Sequence, residues 1–309
     1  MTQDRADVKE DFLPPPGEAW TPIRLTRWSG AYLKEKGIDN GRLNAELMLA
    51  RVLDVPRLDL YLQFERPITP QELKEFKGLL VRRAAREPLQ YVLGVTPFRE
   101  LDLTTDQRAL IPRPETEVLV EEVLGWVKAC VHPRDDGGLV GLEVGTGSGA
   151  VALSLLEEGP VMRMVATDLS REALDLAREN AQAAGLDSRV DFRQGALFEP
   201  IRTGEQFHIV VSNPPYVPLR DRALLAPEVR DWEPPAALFA GPEGLDVLLP
   251  LIREAPGALR PGGLLALEVG EGQGAVVLGA AERTGAYANL RLRPDLAGKD
   301  RIFLGVAAG

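Results

Sequence analysis

The stretch GLVGLEVGTGSGAVALSLLEEG, Gly138 to Gly159, decides the fold. Its first part, GLVGLEVG, is a short apolar run of the kind that forms a buried strand, and its last part, AVALSLLEEG, reads as a helix. Between them Gly145, Gly147 and Gly149 remove Cβ atoms where a turn must be tight and a ligand must approach the backbone. A strand entering a helix through such a turn aims the N–H groups of the helix start at that ligand. Gly145-x-Gly147-x-x-Ala150 satisfies the dinucleotide-binding pattern, so the loop by itself leaves the ligand open.

The same alternation continues downstream. VMRMVATD is a second strand, followed by the helix SREALDLARENAQAAG, with Ser170 as N-cap and Gly185 at its stop. RVDFRQG, FHIVVSN, GLLALEVG, YANLRLRPD and RIFLGVA supply the remaining strands, and EVLVEEVLGWVKACV reads as a helix ahead of the first. Such βαβ order means an α/β fold, a mostly parallel sheet with helices on both faces. Pro250 in LDVLLPLIREA is expected to kink its helix or delay its start. Asp168, ending the second strand, suits two ribose hydroxyls of either an adenine dinucleotide or S-adenosylmethionine. Glu143, just before the glycines, is placed to meet a cationic cofactor group, which favours S-adenosylmethionine over NAD.

The fourth strand ends abruptly in HIVVSNPPYVPLRD, His208 to Asp221. Open α/β sheets bind ligands at the carboxyl ends of their strands. Beside a methyl donor, this corner suits a planar amide or aromatic amine nitrogen, whose two N–H bonds need two fixed acceptors. The side-chain oxygen of Asn213 and the backbone carbonyl of Pro214 supply them, Pro214 and Pro215 stiffen the backbone, and Tyr216 is expected to lie against the flat group. The plainer reading is a rigid exit from a strand.

Upstream, the spacing is helical. TPIRLTRW places Thr21 as N-cap and Pro22 at the first helical position, and Thr69 with Glu72 forms a capping-box pattern. Leu73, Phe76, Leu80 and Ala84 form one apolar stripe, and Leu43, Leu47 and Ala50 mark another. The expected organisation is a disordered tail at 1–17, a helical recognition domain at 18–92, a β-hairpin linker at 93–112 and a catalytic domain at 113–309.

Net charge over 309 residues is −10. Residues 1–100 hold 16 Lys/Arg against 15 Asp/Glu, and the rest hold 20 against 31. An acidic catalytic half is ill suited to gripping a phosphate backbone, which argues against a nucleic-acid substrate. The single cysteine, Cys130, excludes an internal disulfide and suits a reducing cytoplasm. With Cys130 isolated and His132 and His208 outside any motif, no metal site is expected. No apolar run approaches the ~18 residues of a membrane span, and the amino terminus lacks a signal-peptide pattern.

Taken together, EPLQYVLG, FRELDL, IPRPETE, EVGTGSG, VATD, VSNPPY, EVRDWEPPAALFAGPEGLD and LRPGGLLALEVG resemble the bacterial peptide chain release factor protein-(glutamine-N5) methyltransferases, the PrmC/HemK family. The resemblance runs from about Leu25 to the C-terminus. It implies a class I S-adenosylmethionine-dependent methyltransferase with a Rossmann-like, mostly parallel seven-stranded sheet, a cytoplasmic and monomeric enzyme that yields S-adenosylhomocysteine. It further implies that Glu143, Gly145, Thr146, Gly147, Ser148, Gly149, Asp168 and Asn213 hold the cofactor and that Asn213, Pro214, Pro215 and Tyr216 hold a glutamine amide. Where the family often carries an aromatic near the adenine, this chain has Leu197, expected to pack against the base. Phe98 is expected either to line the pocket for the glutamine methylenes or to fill the hairpin core. Arg113 and Glu115 are expected to brace the cofactor entrance, with helix capping by Glu115 an equal account, and Trp232 and Glu233 to form a lid. The implied substrate is the Gly-Gly-Gln loop of release factors. Alternatives are a ribosomal-protein glutamine and, more distantly, adenine N6 of a nucleic acid.

Overall fold

The computed structural model describes residues 19–130, 138–295 and 298–308, so the tail at 1–17 and His132 lie outside the described residues. The chain forms two compact units. One comprises the residues up to Gly94 together with Pro227–Trp232, and the other comprises Val95–Ala226 and the residues from Glu233. Assignment of Pro227–Trp232 to the first unit was not expected from the sequence.

The first unit packs the helices Pro22–Glu35, Gly41–Leu53 and Pro70–Ala84 around Leu25, Leu33, Met48, Leu49, Phe76 and Leu80. The last of these helices begins with a full capping box. Glu72 N donates to Thr69 Oγ1 at 3.3 Å, and Thr69 N donates to Glu72 Oε2 at 2.8 Å. The Arg66 guanidinium beside Glu72 holds its carboxyl down at about 2. Thr21 occupies the N-cap of Pro22–Glu35 but makes no side-chain cap bond, so Pro22 alone marks that start.

The apolar stripe expected at Leu43 and Leu47 is rotated. Ala45, Met48 and Leu49 are buried, and Leu43 is 42% exposed. The cause is a close backbone crossing, in which a Cβ on Gly41 would stand 2.6 Å from the Gly30 carbonyl oxygen. That contact fixes which face of the helix turns inward. In the same unit, the buried Arg83 donates to Asn44 Oδ1, the Glu87 carbonyl and Glu228 Oε1, while Arg86 takes Glu228 Oε2 at 2.7 Å. A buried guanidinium is tolerated because its donors are claimed.

The second unit opens with a hairpin, β1 Val95–Phe98 and β2 Leu101–Thr104. A seven-stranded sheet follows, built from β3 Leu139–Val144, β4 Val161–Asp168, β5 Val190–Gln194, β6 Phe207–Ser212, β7 Leu259–Glu268, β8 Tyr287–Pro294 and β9 Asp300–Ala307. Its order is β5-β4-β3-β6-β7-β9-β8, parallel except that β9 runs antiparallel to both β7 and β8. Order reverses at β3, so the carboxyl ends of β3 and β6 flank the crevice where open sheets bind ligands. One face packs Leu119, Val123, Leu153 and Leu155 against the sheet, the other Leu248, Leu251, Ile252 and Val277. Among the described residues no helix is long and apolar enough to cross a membrane.

Pro250 falls in the first turn of the helix Leu248–Ala258, where its missing N–H costs nothing. Pro256, near the other end, vacates the carbonyl of Ile252, and the Tyr287 hydroxyl donates to that carbonyl at 2.7 Å. Tyr287→Phe should therefore destabilise the protein by about 1–3 kcal/mol, read as a lowered melting temperature. In a Pro256→Ala background the loss should shrink, because residue 256 then supplies its own N–H. Equal losses in both backgrounds would refute the pairing.

Candidate active site

A cavity of about 430 Å³ opens at the carboxyl ends of β3, β4 and β6. The glycine loop, Asp168, Leu197 and the corner from Ser212 to Pro215 form much of its wall, and Ala109 to Pro112 and Pro234 complete it. Gly145, Gly147 and Gly149 have φ values of +74°, +54° and +85°, a region that side chains with a Cβ rarely adopt. The loop's N–H groups are largely spent on the fold. Gly145 N and Thr146 N both donate to the Thr167 carbonyl at 2.8 Å, and Gly149 N donates to the Thr146 carbonyl. These bonds engage the loop ahead of the helix that starts at Ala150. Asn180 holds the loop from behind, donating to the carbonyls of Ser148 and Thr104.

Two acids face this loop, Asp168 half-buried and Glu143 buried. Asp168 Oδ2 accepts from Gly147 N at 2.8 Å and Oδ1 from Ser170 N at 2.9 Å, leaving further lone pairs on each oxygen. Burial raises its carboxyl above the ordinary value. Glu143 is 2% exposed. Its Oε2 accepts from Thr146 Oγ1 at 2.6 Å and from Ala152 N at 3.0 Å. Burial pushes it up to about 8. A cation nearby would offset the burial that keeps these two acids neutral, so together they suit a cationic, hydroxyl-bearing ligand such as S-adenosylmethionine, whose hydroxyls can donate to their oxygens. Leu197, at φ +47°, lies on the wall and packs against the core.

At the corner, Ser212 Oγ donates to the Val144 carbonyl at 2.6 Å, tying β6 to β3. Asn213 Nδ2 donates to Thr116 Oγ1 at 2.9 Å. Among the described residues none donates to Asn213 Oδ1 or to the Pro214 carbonyl, and both residues line the cavity. Tyr216 departs from the flat-stacking role expected of it. Its hydroxyl donates to Glu268 Oε1 at 3.0 Å, its ring packs on the core, and the cavity wall ends at Pro215. Burial and the Glu268 charge raise its phenol. Gln273 Nε2 donates to the Tyr216 carbonyl at 2.9 Å and fixes the exit.

Phe98 is 1% exposed within the hydrophobic core and is absent from the cavity wall, so the hairpin-core alternative describes its position. Arg113 pairs with Glu233 at 2.5 Å, and Ile111 N donates to the other oxygen of Glu233 at 3.2 Å. Glu233 thus buttresses the wall segment Ile111–Pro112, while Trp232 belongs to the helical unit and Glu115 is an exposed first-turn residue. His208 Nδ1 accepts from Val140 N at 3.1 Å, away from the cavity wall. Among the described residues no group of three or more His, Cys, Asp or Glu is placed to hold a metal. Sequence reasoning missed Thr116, Asn180 and Glu268. A signal for the last exists, since Leu-Glu-Val-Gly ends two strands, at 142–145 and again at 267–270.

A mostly parallel seven-stranded sheet with this loop, acid and corner defines a class I methyltransferase, and residues 142–232 match the methyltransferase domain family. Residues 24–94 match the PrmC N-terminal domain family. The chain is 42% identical over 289 residues to the release factor glutamine methyltransferase of Geobacter sulfurreducens, covering 93% of this chain and 97% of that one. It is also 42% identical over 279 residues to the enzyme of the same description from Deinococcus radiodurans, covering 90% and 96%. It belongs to the release factor glutamine methyltransferase family. In fold alone it is similar to the hMettl16 catalytic domain solved with a 3′UTR hairpin, with a TM-score of 0.53 at 15% identity, over 74% of this chain and 81% of that one.

Because Glu143 stands at about 8 when folded against 4.5 when free, the folded chain keeps a proton that the unfolded chain has released. Its contribution to stability is complete below about 4.5 and is lost as pH rises toward 8. The melting temperature of the ligand-free protein should carry that decline, and Glu143→Gln should flatten it. Parallel profiles for the two proteins would show that Glu143 ionises normally.

Proposed function

We propose that this protein transfers a methyl group from S-adenosylmethionine to the side-chain amide nitrogen of the glutamine in the Gly-Gly-Gln loop of peptide chain release factors. The observation that carries the reading is the corner itself, where the Asn213 Oδ1 and Pro214 carbonyl acceptors have no donor among the described residues. Family membership supports the reading, and both features fit a carboxamide that presents two N–H bonds.

When bound, S-adenosylmethionine supplies an electrophilic methyl carbon on a sulfonium. The chain's residues do the rest. Asp168 accepts hydrogen bonds from hydroxyl groups, Glu143 gives up its proton and offsets cationic charge only once a cation lies beside it, and the three glycines leave the loop bare of side chains. Asn213 and Pro214 hold the amide N–H bonds and turn the nitrogen lone pair out of conjugation, a task of alignment more than of basicity. The proton leaves after nitrogen has become cationic, so no histidine is required.

The helical unit serves to dock the release factor. It exposes Leu58 at 68%, Leu62 at 80% and Phe64 at 52%, apolar surface of the kind that marks a protein contact. The enzyme acts in the cytoplasm, since its substrates work in translation termination. Tritiated donor offered separately with release factor, ribosomal protein and DNA should label only the release factor, and label confined to either alternative would overturn the substrate. Asn213→Ala should cut turnover by roughly 10²-fold or more with donor affinity nearly unchanged. Retained turnover would remove Asn213 from its role.

A further inference from the structure

One buried carboxylate binds one end of the acceptor corner directly, at Tyr216, and reaches the other end, Asn213, through Thr116. Glu268, the last residue of β7, is 1% exposed and stands beside Asn213 because Ser212 pairs with Leu267 in the parallel register of β6 and β7. Thr116, 3% exposed in the first turn of the helix Pro114–Cys130, donates its hydroxyl proton to Glu268 Oε2 at 2.7 Å. Tyr216 donates to the other oxygen at 3.0 Å.

The order of donors follows from valence. A threonine hydroxyl has one proton, and a carboxylate is an acceptor only. Once Glu268 holds that proton, Thr116 Oγ1 is left as an acceptor. The part of the Asn213 amide that faces it must then be the NH2 group, at 2.9 Å. The carbonyl end, Oδ1, is thereby turned the other way. Without this chain the two ends of an amide are nearly equal in shape, and a flipped Asn213 would present N–H bonds to a substrate that itself needs acceptors.

We propose that Glu268, acting through Thr116, is the positioning residue that sets which end of the Asn213 amide faces the cavity, while its second oxygen pins Tyr216 and closes the corner. The proposal rests on the glutamine-amide reading for its catalytic consequence, whereas the orientation of Asn213 stands on geometry alone.

The test joins two readouts. The side-chain NH2 signals of isotope-labelled Asn213, assigned by their loss in Asn213→Ala, report the bond to Thr116 by NMR. Thr116→Val should move those signals and lower kcat roughly 10²-fold with the donor KM unchanged, and Thr116→Ser should restore both. Glu268→Gln offers one oxygen to two donors, so the chain must reverse at Thr116 or Tyr216. It should split or shift the Asn213 signals and lower kcat, with the fold retained by thermal melting. Unmoved Asn213 signals in both Thr116→Val and Glu268→Gln would overturn the proposal, as would a kcat loss that Thr116→Ser fails to rescue. If wild-type protein binds donor yet methylates no glutamine peptide, the substrate reading fails, and the NMR comparison still decides the positioning.

Discussion

The parallel register of β4, β3, β6 and β7 is the constraint on which the site depends. Parallel strands end on one edge of a sheet, and here the residues at those ends carry the chemistry: Asp168 on β4, Glu143 beside the end of β3, Asn213 just past β6 and Glu268 on β7. The sheet brings together groups that lie far apart along the chain, and helices packed on both faces hold the strands in place. A slip of one residue in any pairing would turn an inward side chain to the opposite face. Ser212, bonded across β6 to the Val144 carbonyl, ties the two central ends at the crevice.

Charge at that edge is handled in two ways. Glu143 and Glu268 stand second in the same four-residue phrase and are both almost fully buried, yet they serve different neighbours. Glu143 binds within its own strand-loop-helix segment, to Thr146 and Ala152, and stays reluctant to ionise. Glu268 receives hydroxyl protons from two separate parts of the chain, Thr116 and Tyr216, and these bonds oppose the rise that burial imposes on it. The first acid faces the space for a cationic ligand, and the second holds protein groups in register. Asp168 lies between these cases, with each oxygen already holding one backbone N–H.

Much of this was legible because it is local. Strand, glycine turn, helix and acid follow one another within Leu139–Asp168, and short-range periodicity and turn chemistry suffice to read them. The Thr69–Glu72 box and the stripe from Leu73 to Ala84 were equally plain. What escaped was set by distance along the chain. Thr116 is separated from Asn213 by 97 positions and from Glu268 by 152, and no pattern in a window connects them. Within IPRPETE attention fell on Arg113 and Glu115, whereas the small residue between Glu115 and Glu117 is the one that touches the corner. The rotated face of Gly41–Leu53 escaped for a similar reason, since a backbone crossing at Gly30 and Gly41 decided it, not the spacing of leucines.

Strand β9 enters the sheet between β7 and β8 rather than at an edge, and Ile302 pairs with Glu268 itself. On the ribosome, β7 is therefore complete some thirty residues before its neighbour exists, about 1.5–6 s of synthesis. Through that interval one side of β7 is an open row of N–H and C=O groups, a template for mispairing with other nascent chains. The order of strands thus imposes a late step on biogenesis: the carboxylate that organises the corner acquires its final surroundings only when residues 300–307 have emerged.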